Sequence, residues 1–174
     1  MRVRLTLAVL PLLAVFAAGA SDIGDAPSGA DEIERIVELM RIRDGLAQGA
    51  EQALATSQLA SASEERKACM RRLSVSDLAV EPIRRRLRAA FPDAESRQRT
   101  IAFFSSDTGR KVVEWMTKPG ARLAEIKATL TPDDYRILVD YTQSGGGEAF
   151  RVLNHNVAKD DSVTRAIRQE CPRR

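Results

Sequence analysis

Two cysteines, one histidine and a scatter of carboxylates are the side chains of this 174-residue chain that could do chemistry. Cys69 and Cys171 are too far apart for a C-x-x-C redox pair, and neither has a helix-N-terminal or His-adjacent setting that would favour a thiolate. One intramolecular disulfide is the simplest expectation; an intermolecular bridge or two free thiols are the alternatives. His155, in Asn154-His155-Asn156, is the only histidine. Zinc needs three or four ligands and a nucleophilic triad needs a base, so His155 reads as structural or exposed. No Ser-x-x-Lys, Gly-x-Ser-x-Gly, P-loop or dinucleotide fingerprint occurs. No residue is therefore assigned a catalytic, cofactor-binding or metal-binding role, and the chain reads as a non-enzyme.

Two weaker chemical readings remain. Glu114, beside Trp115, could be an acid with a raised pKa, as glycan-cleaving enzymes require. That would make the protein an envelope hydrolase using a buried Glu, but no partner carboxylate is identifiable. Gly145-Gly146-Gly147 could present backbone N–H groups to an anion. Glu148 follows where phosphate cradles carry Lys or Arg, so a permissive tight corner is the better expectation.

The first residues carry an address. Arg2 and Arg4 precede an uncharged, mostly apolar run, residues 5–17, and Ala18-Gly19-Ala20 supplies the small residues of a signal-peptidase site. The run is shorter than the roughly 20 apolar residues of a membrane span. The expectation is a cleaved signal peptide, residues 1–20, and a periplasmic chain beginning at Ser21. Export places both cysteines where disulfides persist.

Without the leader the chain holds 25 basic and 24 acidic residues, a net charge near +1. That balance argues against nucleic acid, whose binding needs clustered phosphate-neutralising groups. A local cluster survives at Arg66, Lys67, Arg71, Arg72, Arg84, Arg85, Arg86 and Arg88. It reads as a solvated face beside Glu64, Glu65 and Glu81. Alternatively Arg84, Arg85, Arg86 and Arg88 form a patch facing an anionic membrane surface or polysaccharide.

The elements that position these residues read as helices throughout. Residues 21–31 are turn-rich and are expected to be a flexible lead-in to one domain over 32–174. Ile33, Ile36, Val37 and Met40 recur at helical spacing, and Leu39, Ile42, Leu46, Ala53 and Leu54 extend the stripe. Gly45 and Gly49 are expected to bend this first helix or admit a close neighbour. Ser61-x-x-Glu64 has the form of a capping box. Ser76 or Asp77 would cap a third helix, with Leu78, Val80, Ile83, Leu87 and Phe91 inward and Pro82 in its first turn. Pro119-Gly120 marks a break. Thr131-Pro132-Asp133-Asp134 is the strongest helix start, with Thr131 as cap and two acids at the positive end of the dipole. The fold class expected is all-α, a bundle of helical hairpins.

Two segments 38 residues apart share aromatic-x-x-Ser-x-x-Gly: Phe103, Ser106 and Gly109, then Tyr141, Ser144 and Gly147. The spacing predicts a helix–corner–helix used twice. In each copy the aromatic anchors a helix end, the Ser caps the next helix, and the Gly clears a close approach. Phe91, Phe104, Trp115, Tyr135 and Phe150 join the repeat aromatics as core candidates, or as the lining of an apolar cleft.

The first copy resembles a motif of exported bacterial proteins known as the domain of unknown function 2059 family, Phe-Tyr-x-Ser-Pro-x-Gly-x-Lys. Phe103, Ser106, Gly109 and Lys111 match, with Phe104 in place of the Tyr and Asp107 in place of the Pro. Leu130 to Tyr135 resembles the family's acidic helix start, although it precedes the second copy, and Glu32 to Leu54 its opening helix. The resemblance spans residues 32–155. It implies an all-helical periplasmic domain and brings no functional residues with it. The resulting expectation is a non-catalytic binding module of the cell envelope, partnered by another envelope protein; an apolar-ligand carrier is the alternative.

Overall fold

Helix is the regular structure of the residues described in the computed structural model, 28–118, 123–154 and 161–171, and no strand occurs among them. The chain is all-α in these parts. The expected leader, the Pro119-Gly120 break and His155 lie outside the described residues. In order the helices are α1 (Gly29–Leu39), α2 (Ile42–Leu54), α3 (Ser57–Ala60), α4 (Glu64–Ser74), α5 (Asp77–Ala90) and α6 (Ala94–Ser105). There follow α7 (Asp107–Met116), α8 (Leu123–Thr129), α9 (Pro132–Tyr141), a π-helical turn (Thr142–Gly146), α10 (Gly147–Asn154) and α11 (Ser162–Glu170).

Helix α1 opens earlier than the lead-in reading allowed. Ser28 accepts from the Asp31 amide while Asp31 accepts from the Ser28 amide, a reciprocal cap that starts the helix at Gly29. The expected single helix over Glu32–Leu54 is two. Met40 and Ile42 are both 4% exposed, yet on one continuous helix they would point about 200° apart. A break between them lets both face the core. The chain makes it at Arg41, a non-glycine residue with φ +51°, whose guanidinium pairs with Asp44. Gly45 and Gly49 make neither the bend nor a close approach, since a Cβ on either would meet open space.

Two other helix starts differ from expectation. The cap of α4 is Ser63, which accepts from the Arg66 amide, not Ser61. Ser61 instead ends the short α3 that intervenes. At α5, Ser76 is the N-cap by position, but its hydroxyl donates backward to the Leu73 carbonyl. Pro82 sits in the second turn of α5, not the first, and leaves the Leu78 carbonyl without its helical donor. Leu78 is 41% exposed, whereas Val80, Ile83, Leu87 and Phe91 are buried. The buried face therefore includes Ala79 and Val80 but not Leu78, which lies across the helix from Val80.

The main core joins α1, α5, α6, α7, α9 and α10 around Ile36, Val80, Leu87, Phe104 and Val112, with Ile42 from α2 and Ile126 from α8 added to it. Helix α1 packs most extensively on α6. A second, separate cluster joins α4 to α11 through Cys69, Leu73, Ala166 and Cys171, with Met70 and Ile167 against it. These two clusters organise everything that follows.

Candidate functional site

The repeat places its two aromatics against each other. Phe103 and Tyr141 stack face to face, centroids 3.9 Å apart and 3° from parallel, with Phe104 and Phe150 edge-on around them. Burial pushes the Tyr141 phenol up to about 12, although it donates to Thr100 Oγ1. Of the seven aromatics among the described residues, Tyr135 is the one exposed.

The first copy is the predicted corner. Ser106 ends α6 and caps α7: its Oγ accepts from the Gly109 amide at 3.0 Å and donates to the Phe103 carbonyl at 2.6 Å. A Cβ on Gly109 would lie 2.0 Å from that carbonyl oxygen. The second copy keeps half of this geometry. Ser144 Oγ donates to the Tyr141 carbonyl at 2.9 Å but caps nothing, because the chain runs through the π-helical turn with Gly145 at φ +96°. The close approach falls to Gly146, where a Cβ would lie 2.2 Å from the Tyr141 ring, and not to Gly147. The glycine run is thus a kink shaped around Tyr141; Arg99 donates to its Ser144 carbonyl.

Two buried carboxylates tie the helices together. Asp134 accepts from Thr108 Oγ1 and Lys111 Nζ, both at 2.7 Å, and from Thr131 Oγ1 at 2.8 Å. Lys111 and the two hydroxyls hold its carboxyl well below the usual carboxylate range. Thr108 and Lys111, both bonding Asp134, thus join the motif-like stretch to the acidic helix start. Glu32, 6% exposed, accepts from Arg97 Nε at 2.5 Å and from Gln98, and these bonds lower its carboxyl too. Both acids are held ionised, so neither is a proton donor near neutral pH. Glu114 is exposed and faces Lys118 at 3.6 Å, the opposite of the apolar enclosure that raises a carboxyl.

The basic cluster is threaded with acids. Arg84 Nε meets Glu34 at 2.7 Å, Nη2 meets Asp77 at 3.0 Å, and Nη1 faces Glu81 at 3.5 Å. Arg88 pairs with Glu81 and Arg43 with Asp77. Arg71 pairs with Glu51, and Lys67 with Glu64. Arg85 is exposed and Arg86 half-buried. Arg84 thus ties α5 to Glu34 of α1, while Arg88 pairs with Glu81 within α5. A recess of 250 Å³ lies where α1 begins, lined by Ile33, Phe91, Arg88 and Arg97 among others. It is smaller than the roughly 300–1,000 Å³ of small-molecule sites, and two guanidinium groups flank it. Among the described residues no group of three or more His, Cys, Asp or Glu is placed to hold a metal ion.

The sulfur pair is where sequence and structure meet most directly. Cys69, inside α4, and Cys171, capping α11, form a disulfide with Cα atoms 5.6 Å apart at a sequence separation of 102. Arg72 Nη2, one turn along α4, donates to Cys69 Sγ at 3.8 Å. No protein-family model, curated protein or solved structure matches this chain.

Proposed function

We propose that this chain is an exported helical domain of the periplasm that works without catalysis, by binding another protein of the cell envelope. The observation that carries the reading is the Cys69–Cys171 bridge, a bond that persists outside the reducing cytoplasm. It stands beside the leader-like residues 1–20 and the resemblance to the domain of unknown function 2059 family. Support for binding comes from Leu78 and Ile137, large apolar side chains 41% and 43% exposed on helices otherwise rich in charge. Two of the arginines of the proposed anion-facing patch are engaged by Glu34, Asp77 and Glu81, which favours a protein partner over an anionic membrane surface. Neither the carrier nor the hydrolase has an observation on its side.

Expression with the native leader, followed by fractionation and intact mass, tests the address. The expected product begins at Ser21, sits in the periplasmic fraction and is oxidised at both cysteines. An uncleaved chain in the cytosol with two free thiols contradicts it. A photo-crosslinking residue at Ile137 tests the mode of action in living cells. A discrete protein adduct is expected there; adducts with lipid alone, or none, overturn the binding reading.

A further inference from the structure

We infer that Cys171 is the sulfur through which a dithiol reductant opens this protein, with Cys69 as the departing thiolate and α11 as the helix released. The proposal goes beyond the binding reading and stands without it.

The two sulfurs are not equivalent. Cys69 lies within α4, with Arg72 Nη2 3.8 Å from its Sγ. A guanidinium donating to Cys69 Sγ stabilises negative charge on that sulfur. In thiol–disulfide exchange the better-stabilised thiolate leaves faster, so attack is directed at the other sulfur. Cys171 follows the last turn of α11 in extended backbone, held to the helix by its amide bond to the Ile167 carbonyl. Both cysteines are 5% exposed, so a reductant must wait for an opening. Helix ends fray at far lower cost than helix interiors open, and the end that frays here carries Cys171.

Helix α11 is built to come away. It belongs to the small cluster of Cys69, Leu73, Ala166 and Cys171 and not to the main core. Its ion pair, Arg165–Asp161, is internal to its own first turn. The helix also touches α5, so its departure would uncover Cys69 and Leu73 on α4 and one edge of α5, and leave the packing of α1, α6 and α7 in place.

The chemistry balances with a dithiol. One thiolate of the reductant attacks Cys171 Sγ; the protein S–S bond breaks, its electron pair leaves on Cys69 Sγ, and a mixed disulfide forms at Cys171. The reductant's second thiolate then attacks its own sulfur in that mixed disulfide and expels the Cys171 thiolate. Two electrons pass from dithiol to protein, the dithiol ends as a disulfide, and each protein thiolate takes up a proton.

A monothiol stops this sequence halfway and reveals its direction. Purified oxidised protein is exposed to reduced glutathione, quenched in acid, alkylated and peptide-mapped. Glutathione on Cys171 with the alkyl group on Cys69 is expected in about tenfold excess over the reverse pattern. Arg72→Gln should slow the reaction by about threefold and erode the bias, and Arg72→Lys should restore it. Equal or greater glutathionylation of Cys69, or reaction only after denaturant unfolds the domain, overturns the proposal. Hydrogen exchange of the dithiol-reduced protein reads the release: faster exchange over 162–170 with α1 and α6 unchanged is expected. Uniform acceleration, or none, refutes the latch.

Discussion

Around Leu87 and Phe104 eight of the described helices contribute buried apolar side chains, and the buried acids Glu32 and Asp134 cross-tie them. Around Cys69 and Cys171 two helices bury four residues, and a covalent bond completes the contact. The first region is stable through packed area, which scales with the many side chains withdrawn from water. The second has too little area for that and relies on a cross-link whose main effect is on the unfolded chain. One molecule thus contains a body and an annex with different sensitivities: the body to cavities and acid, the annex to reductant.

The largest effect is expected inside the body. Phe104, 1% exposed between Phe103, Tyr141 and Phe150, should lose about 3–5 kcal/mol of stability on Phe104→Ala. Denaturant unfolding checks this, and a loss below about 1 kcal/mol would mean the aromatic cluster is loosely packed. Replacing both cysteines by serine should cost about 2–4 kcal/mol by the same assay. Its signature differs, because the variant should keep the native near-ultraviolet signal of the aromatic cluster before unfolding.

Acid sharpens the contrast. The carboxyls of Glu32 and Asp134 are lowered by their partners in the folded state. Their contribution is therefore complete above the unfolded carboxylate range, about pH 4, and is lost as pH falls below it toward their folded values. Stability followed from pH 7 downward should hold to about pH 5 and then decline, with the disulfide unaffected. Asp134→Asn should flatten that decline; an unchanged acid limb would remove Asp134 from the account. The smallest effect carries the opposite sign. Gly45 lies in α2 with open space around its Cα, so Gly45→Ala should stabilise by about 0.5–1 kcal/mol. A loss of stability would reveal a neighbour packed on that face.

The contrast also marks what was legible in the residues. Ile33, Ile36, Val37, Val80, Ile83 and Leu87 announce their buried faces through spacing alone, and all are in the core. The disulfide was legible from two cysteines beside the leader-like residues 1–20. The Ser106 corner was legible because its cap and its glycine act within a few residues of each other. Its Ser144 counterpart has the same residue types, yet the added Gly145 and Gly146 let the chain kink without a cap. Arg41 at positive φ was hidden because the need arises from where Met40 and Ile42 must point, a tertiary demand. The ties of Glu32 to Arg97 and of Asp134 to Lys111 span 65 and 23 residues of sequence. No local pattern encodes such pairs, and both acids looked like ordinary first-turn residues.

Limited trypsin digestion of the double Cys→Ser variant, beside the oxidised protein, tests the body-and-annex account most directly. The account predicts early cuts after Arg165 and Arg168 in the variant alone, with a resistant fragment extending from α1 through α10. Digestion of both regions together, or an α11 as resistant without the bridge as with it, would contradict it.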